Sequence, residues 1–253
     1  MHIRSLHLLP HTFPTNNYYP FNREIFQKTR LLEFERPVTF FVGENGSGKS
    51  TLLRAIARCC SIHIWEEGEG KKDRHNPFED LLDQSMRIEW TDGKVAGSFF
   101  ASEIFRHFAG ILDTWAGADP GFLHYFGDTS LTLKSHGESH MTFFEHRFRR
   151  KGLYLLDEPE NALSPGMQLE LLRLLHWFTK RGDVQFIIAS HSPILLACPD
   201  ADILSFDSIP IRKIRYEESD HYRIYRNFLT NPAKYLDETV YADNEPPFGL
   251  PER

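Results

Sequence analysis

The chain has 253 residues with 35 acidic and 29 basic side chains, so its formal net charge at pH 7 is −6. This negative balance gives no global attraction to nucleic acid or to anionic membranes, and any such contact requires a local basic patch. Hydrophobic residues make up 41% of the chain, which is enough for a sizeable core and excludes a disordered protein.

Cysteine usage and hydropathy indicate the cellular compartment in which the protein is expected. Cys59, Cys60 and Cys198 form no C-x-x-C pair, and an odd number of cysteines without a framework is typical of reduced thiols. The amino-terminal apolar run is too short for a signal peptide, and no stretch approaches the roughly 20 apolar residues needed to cross a bilayer. We therefore expect a cytoplasmic protein without a membrane segment.

The first strong motif follows two predicted strands, an alternating edge strand at residues 1–9 and a second strand at 31–34. The apolar run 38–42 predicts a buried parallel strand, and the residues after it, GENGSGKST, match the phosphate-loop pattern G-x-x-x-x-G-K-[ST]. Helical spacing of apolar residues resumes at Leu52. The predicted nucleotide-binding residues are Gly43, Glu44, Asn45, Gly46, Ser47, Gly48, Lys49, Ser50 and Thr51.

The chemistry of this loop indicates that the chain binds a nucleoside triphosphate. Glycines let successive backbone N–H groups turn toward one centre, and the helix that follows adds its positive dipole end. Lys49 can then reach the β- and γ-phosphates, and the Ser50 hydroxyl can hold Mg²⁺. Aromatic side chains in the loop before the motif either stack on the base or anchor that loop to the domain; these are Phe13, Tyr18, Tyr19 and Phe21.

The middle of the chain carries weaker signals. The charged, glycine-containing stretch EEGEGKKDR predicts a mobile surface insert at about 66–80. Asp92-Gly93 lies between two strand-like runs, 87–91 and 94–96, which predicts a β-hairpin. Apolar residues from Ile104 to Trp115 keep helical spacing and predict a buried amphipathic helix.

The last third alternates strands and helices, which predicts a parallel sheet covered on both faces. Strands are expected at 153–156, 184–189 and 203–206. Ser164 and Pro165 start a helix whose one face is expected to carry Leu169, Leu172 and Leu175. A surface helix is expected over 220–236, with aromatic side chains on one side.

Two strand ends carry candidate catalytic residues. Asp157 and Glu158 close the strand LYLL, at the edge where α/β sheets bind ligands. Asp157 would hold Mg²⁺ and Glu158 would orient and deprotonate a water molecule; the alternative is a solvated acidic turn. His191 ends the next strand, where its imidazole could bond the γ-phosphate or the water, although a histidine in such a place is often structural.

Two segments between these motifs remain ambiguous. The sequence SHGES at 135–139 precedes a helix, so it forms either an anion site at the helix N-terminus or a plain helix cap. The basic run 146–151 could contact nucleic-acid phosphates, but such a run is more often a solvated helix end. The spacing of the nearby histidines fits no zinc pattern.

The order of these motifs resembles the ABC-type ATPases, in particular the SMC/RecF branch and its small stand-alone "predicted AAA-type ATPases". The matching segments are GENGSGKST (Walker A), SHGES (signature), LYLLDEPE (Walker B), NALSP (D-loop) and SHS (switch histidine). The resemblance implies an α/β fold with a mostly parallel central sheet flanked by helices, an antiparallel β edge and a helical lobe carrying the signature. It also implies one domain over 1–253, with the lobe at about 98–150.

The resemblance further implies a head-to-tail homodimer with two ATP molecules between the protomers. In that arrangement the signature acts in trans and the D-loop links the two sites. The implied residues are Ser135, His136, Gly137 and Glu138 for the signature, and Asn161, Ala162, Leu163 and Ser164 for the D-loop. The signature lacks its initial Leu, and the D-loop has Ser164 where the family has Asp. No clean Q-loop glutamine is found; Glu103 is the better metal-ligand candidate and Gln84 the poorer one.

We therefore expect an Mg²⁺-dependent ATPase whose catalytic residues are Lys49, Glu158 and His191. Two other functions remain open: an ATP-sensing interaction module with little hydrolysis, and the ATPase subunit of a transporter. A GTPase is disfavoured because no N-K-x-D segment occurs. A protein partner from the same operon is conceivable, and nucleic acid is not indicated by the net charge. DNA-related and defence roles both fit a short ATP-driven clamp.

Overall fold

The computed structural model describes residues 1–65, 76–119, 121, 123 and 129–236. Most of the predicted mobile insert, residues 66–75, lies outside the described residues, as do parts of the predicted lobe between 120 and 128. The described strands are β1 (Ile3–Leu8), β2 (Leu31–Glu33), β3 (Val38–Val42), β4 (Met86–Trp90), β5 (Gly97–Ala101), β6 (Gly152–Asp157), β7 (Val184–Ala189), β8 (Ala201–Ser205) and β9 (Arg212–Ile214).

Helices connect most of the parallel strands. They are α1 (Glu24–Lys28), α2 (Lys49–Cys59), α3 (Phe105–Ala118), α4 (His136–Arg147), α5 (Pro165–Lys180), α6 (Pro193–Leu196), α7 (Asp220–Thr230) and α8 (Ala233–Leu236). Short 3₁₀ turns include Leu82–Ser85 before β4 and Pro159–Ala162 after β6. In the part of the chain that the structure describes, no helix is long and apolar enough to span a membrane.

The strands form two sheets. The central sheet has six strands in the order β5-β6-β7-β3-β8-β9, all parallel except β9, which pairs antiparallel with β8. The second sheet has three antiparallel strands in the order β2-β1-β4. The predicted α/β architecture, with a mostly parallel sheet and an antiparallel β part, is confirmed.

Two hydrophobic clusters cover the two faces of the central sheet. On β3, Phe41 belongs to the cluster shared with α2 and the three-stranded sheet. Its neighbour Phe40 points to the other cluster, which includes buried side chains of α3, α4 and α5. Because both faces are covered, the central strands carry continuous apolar runs, which is why their positions are visible in the sequence.

Gln185 ties the two sheets together. Its side chain is fully buried and accepts the backbone N–H groups of His2 and Ile3, both at 2.7 Å. It also donates to the carbonyl of Ile3 at 3.0 Å. One amide on β7 thus satisfies three backbone groups at the start of β1.

Two strand predictions are wrong. β1 is the central strand of its sheet, not an edge strand, because alternation reports one buried face and says nothing about how many neighbours a strand has. The hairpin around Asp92-Gly93 does not form: β4 pairs with β1, and the next strand, β5, pairs in parallel with β6. Phe99 and Phe100 of β5 pack into the two opposite clusters, so β5 requires a place in the covered central sheet.

Two helix predictions are corrected in detail. The buried face of α5 consists of Leu171, Leu175 and Phe178, whereas Leu169 is 44% exposed. This leucine-rich helix offers more than one apolar stripe, and the packing against the sheet selects one. The expected surface helix over 220–236 is interrupted before Pro232 and forms α7 and α8, because proline cannot continue the hydrogen-bond ladder.

Candidate active site

The phosphate loop joins β3 to the N-terminus of α2 and requires glycine at two positions. Gly48 has φ of 107°, and a Cβ there would lie 2.7 Å from Cζ of the buried Phe26. Gly43 has φ of 147°, and a Cβ would lie 2.9 Å from Oδ1 of Asp207. The same Asp207 oxygen accepts the backbone N–H of Glu44 at 2.8 Å, so this residue, two positions after β8, fixes the start of the loop.

Lys49 is enclosed by this loop and is only 4% exposed. Its Nζ donates to the carbonyl oxygens of Gly43 and Glu44 at 2.7 and 2.9 Å. Burial lowers the pKa of the ammonium group, and the nearby carboxylates, first Glu158, oppose that effect. Ser47 Oγ is also buried and has no hydrogen-bond partner. The loop thus presents a confined cation and a free hydroxyl, which suits a phosphate group.

Ser50 and Asp157 form the oxygen pair that Mg²⁺ would need. The Ser50 hydroxyl donates to Asp157 Oδ1 at 2.8 Å. Asp157, at the end of β6, is 6% exposed, and burial raises the pKa of its carboxyl to about 6, against the opposing effect of the Ser50 hydrogen bond. The Arg54 charge offsets only part of the effect of burial on this carboxyl, and a carboxylate and a hydroxyl are oxygen ligands that Mg²⁺ prefers, so these two residues fit Mg²⁺.

Glu158 follows directly in a left-handed backbone conformation, with φ of 48° and ψ of 55°. Its neighbours hold this strained residue in place: its N–H donates to the carbonyl of Ala189 at 2.9 Å, and its carbonyl accepts the Ser102 hydroxyl at 2.7 Å. Its carboxylate accepts the side-chain amide of Asn161 at 2.7 Å and lies 3.7 Å from His191 Nε2. No motif in the sequence pointed to the role of Ser102.

His191 sits among residues that sequence reasoning did not select. Its backbone N–H donates to the buried carboxylate of Glu160 at 2.6 Å, and its Nδ1 lies 2.8 Å from Nε2 of His221. Burial lowers the pKa of both imidazoles, and the Lys49 charge adds to this. His221 belongs to α7, 30 residues further along the chain, and no motif in the sequence pointed to it.

The signature segment forms a complete helix cap. Ser135 and Glu138 make a capping box at the start of α4, with the Ser135 N–H donating to Glu138 Oε2 at 3.1 Å. His136 Nε2 lies 2.6 Å from a guanidinium nitrogen of Arg106. Within the described residues, no hydrogen bond joins residues 135–138 to the phosphate loop of the same chain. A role of this helix end as an anion site therefore stays a prediction.

The D-loop segment lies against the signature segment. A Cβ on Gly137 would come within 3.0 Å of the carbonyl oxygen of Ala162 and 2.7 Å of the Met167 sulfur. Leu163 is buried, and Ser164 caps α5 by accepting the N–H of Met167. Serine and aspartate are both good N-caps, so the capping role at this position does not require Asp.

The metal-ligand candidates differ in position. Glu103 lies just beyond β5, where Ala101 is paired with Asp157, and it forms an ion pair with Arg54 while its side chain stays 69% exposed. Gln84 lies in the turn before β4, next to Asp83, whose charge acts on Cys59 at the far end of α2. Gln84 thus lies near the C-terminal end of that helix, and this end is about 15 Å from Lys49 by helix geometry.

The aromatic loop is anchored to the domain. Phe13 and Phe21 pack edge to face at 4.8 Å, and Phe21 is fully buried. The Tyr19 hydroxyl is hydrogen-bonded to that of Thr51, and Tyr18 packs against Phe78 at 5.5 Å. These contacts favour the anchoring interpretation.

Part of the basic run 146–151 also has a structural role. The Tyr154 hydroxyl bridges the carbonyls of Arg147 and Arg150, both at 2.6 Å. Arg147 in turn donates to the carbonyl of Gly97 at 3.4 Å. The exposed residues at its end are Arg149, Arg150 and Lys151.

Two family models match segments of the chain. Residues 17–96 match a model described as "AAA domain", and residues 145–197 match one described as "AAA domain, putative AbiEii toxin, Type IV TA system". No curated protein matches the chain.

Several solved structures share the fold. One is cbiO1 from Clostridium perfringens, part of the ABC transporter complex cbiONQ, with 17% identity, 93% of this chain and 99% of that chain covered, and a TM-score of 0.53. Another is titled "An inward-facing conformation of a putative metal-chelate type ABC transporter", with 16% identity, 88% of each chain covered and a TM-score of 0.51. The SMC head domain from Thermotoga maritima is also similar, with 18% identity, 85% and 99% coverage and a TM-score of 0.46.

At these identities the likeness to the two structures with TM-scores above 0.5 establishes the fold alone. The first AAA-domain match contains the phosphate loop, and the second contains Asp157, Glu158 and His191. The chain therefore combines two AAA-domain segments with a fold that it shares with ABC-type P-loop ATPases.

Proposed function

We propose that the chain hydrolyses ATP and that ATP drives its head-to-tail dimerisation, as in the SMC/RecF branch that its motifs resemble. The observation that carries this proposal is the environment of Glu158. Its carboxylate is about one-third exposed, is oriented by Asn161, and lies beside His191 near the buried Lys49. A protein that only senses ATP has no need of a base held in this way.

The chemistry follows from the positions of these side chains. Lys49 gives up its two carbonyl partners for the β- and γ-phosphates, and the phosphate loop neutralises their charge through backbone N–H groups. Mg²⁺, held by Ser50 and Asp157, would neutralise further phosphate charge. Glu158 accepts a proton from a water molecule as the water oxygen attacks the γ-phosphorus and ADP leaves. Neutral His191 can donate a hydrogen bond to the γ-phosphate.

The dimer is supported by the surface position of the signature and D-loop segments. They adjoin each other at Gly137 and Ala162, and the described part of the chain shows no hydrogen bond from residues 135–138 to its own phosphate loop. The capping box satisfies the Glu138 N–H, whereas no partner is described for the N–H groups of His136 and Gly137, which the γ-phosphate on a second copy would bind.

Glu158→Gln tests the base and the dimer together. We expect ATP binding to persist, hydrolysis to fall by about 10²-fold or more, and dimer to accumulate with ATP and Mg²⁺ in sedimentation velocity. Glu145→Gln, an exposed change on α4, is the control and should behave like the parent. Hydrolysis by Glu158→Gln at the parental rate would remove Glu158 from its role.

Lys49→Ala and Ser135→Arg separate binding from assembly. The first should abolish ATP binding, because no other buried cation is described in the loop. The second should bind ATP as a monomer without forming the dimer. A Ser135→Arg variant that still dimerises with ATP would refute the trans contact.

Two alternative functions make different predictions. An ATP-sensing module would close on a partner and show negligible turnover, with or without DNA, RNA or protein added. A transporter subunit would need a membrane partner, and the transporter titles of two neighbours support only the fold. Parental turnover that is independent of dilution would contradict both the sensing module and the shared site.

We propose a defence role as the biological role of the chain. The description of the family model that residues 145–197 match names an AbiEii toxin of a type IV toxin–antitoxin system. This description favours a defence role over a role in DNA metabolism. A partner encoded in the same operon would then carry the output. Co-purification with Glu158→Gln in ATP tests this directly.

A further inference from the structure

His221 makes a contact that the proposed mechanism does not yet use. Its Nε2 lies 2.8 Å from Nδ1 of His191, so one of these two nitrogens donates a proton to the other. The other ring nitrogen of His191, Nε2, is buried, has no hydrogen-bond partner, and lies 3.7 Å from a Glu158 carboxylate oxygen.

The surroundings decide the direction of this hydrogen bond. A neutral imidazole carries one N–H, and the partner of one nitrogen fixes which nitrogen carries it. If His191 held its proton on Nδ1, a bare lone pair on Nε2 would face the Glu158 carboxylate and, with ATP bound, the γ-phosphate. If the proton is on Nε2, the N–H points toward these anions and Nδ1 accepts from His221.

We propose that His221 is a positioning residue that holds His191 in the tautomer with the proton on Nε2. This inference rests on the proposed function, since it gives His191 the donor that the γ-phosphate and Glu158 require. His221 touches neither of them itself and acts only through His191.

The structure holds His221 firmly beside its partner. Ser219 caps α7 by accepting the N–H of Tyr222, and its hydroxyl donates to the carbonyl of Tyr216 at 2.7 Å. The Tyr216 ring packs on Tyr222 at 4.6 Å, and the Tyr216 hydroxyl donates to the carbonyl of Pro193 at 2.8 Å. Pro193 is two residues beyond His191, so both imidazoles are attached to one short stretch of the fold.

The direct test reads the tautomer of His191. Histidine-selective ¹⁵N labelling and long-range ¹H–¹⁵N spectra distinguish a protonated ring nitrogen from a bare one, and His191→Gln assigns the signals. We expect parental His191 to show a bare Nδ1 and a protonated Nε2, and His221→Leu to lose this preference. His221→Gln keeps an amide donor near the position of Nε2 and should restore it. A protonated Nδ1 on parental neutral His191 would overturn the proposal.

Kinetics give a second readout. His221→Leu should lower kcat about tenfold, the factor that corresponds to one hydrogen bond, with KM and ATP affinity within about twofold of the parent. His221→Gln should recover most of kcat, and Asn227→Leu, exposed on the same helix, should retain it. Equal loss in the Leu and Gln variants, or none in either, would also overturn the inference. If the parent hydrolyses no ATP, the proposed function fails while the spectra still decide the tautomer.

Discussion

Replacing Asp157 by Asn should stabilise the protein in the absence of Mg²⁺ and ATP. Burial at the end of β6 raises the pKa of this carboxyl from 3.8 to about 6, so its charge opposes folding at neutral pH. That shift corresponds to about 3 kcal/mol at pH 8. Asn keeps the oxygen that accepts the Ser50 hydroxyl, and the pKa of about 6 already includes the effect of that hydrogen bond on the charged carboxylate.

The expectation is a gain of about 3 kcal/mol, which for a chain of this size raises Tm by about 6–12 °C at pH 8. The folded pKa lies above the unfolded one, so the penalty is full above pH 6, falls as the pH drops through that value, and vanishes below the unfolded value of 3.8. At pH 5 the advantage of Asn should therefore be about half as large.

Thermal unfolding of parent and Asp157→Asn at pH 8 and pH 5 measures this difference, with the exposed Asp92→Asn as control. Adding Mg²⁺ and ATP should reverse the order, because ligand binding to the folded state stabilises the parent more than the variant. If Asp157→Asn lowers Tm at pH 8 without ligand, then burial does not dominate at this carboxyl and the reasoning is refuted.

Three further predictions concern packing and polar groups. Gly137→Ala should prevent ATP-driven dimer formation, because the added Cβ would lie 2.7 Å from the Met167 sulfur. In the control variant Gly110→Ala, the added Cβ meets nothing within 4 Å, so this variant should still form the dimer in the same sedimentation assay. Gln185→Leu should lower the free energy of unfolding in urea by about 2–4 kcal/mol, since three backbone groups of β1 lose their partner; a loss below about 1 kcal/mol would show that water replaces it. Lys213→Met should cost about 1–3 kcal/mol by leaving the buried Asp202 unpaired, and adding Asp202→Asn should recover most of the Tm; no recovery would contradict a charge effect.

The amino-acid sequence by itself determined the elements whose signals are local. The strand at 38–42, the glycine loop and the helix after it follow from an apolar run, residues with positive φ and a helix start that are adjacent in the chain. The strands ending at Asp157 and Ala189 were found for the same reason, because strands buried on both faces are apolar throughout. Ser164 was recognised as a cap because capping acts within one turn, whereas SHGES was left open between a cap and an anion site.

Tertiary structure alone decided which elements are neighbours. Gly93 adopts the positive φ of 96° that an Asp-Gly pair favours, yet burial of Phe99 and Phe100 sends β5 to the central sheet and not to β4. His221 reaches His191 only because α7 packs beside the strand end that carries His191. Such contacts join residues 30 or more positions apart. They depend on which apolar surfaces remain exposed once the sheet has formed, and no local sequence pattern encodes those surfaces.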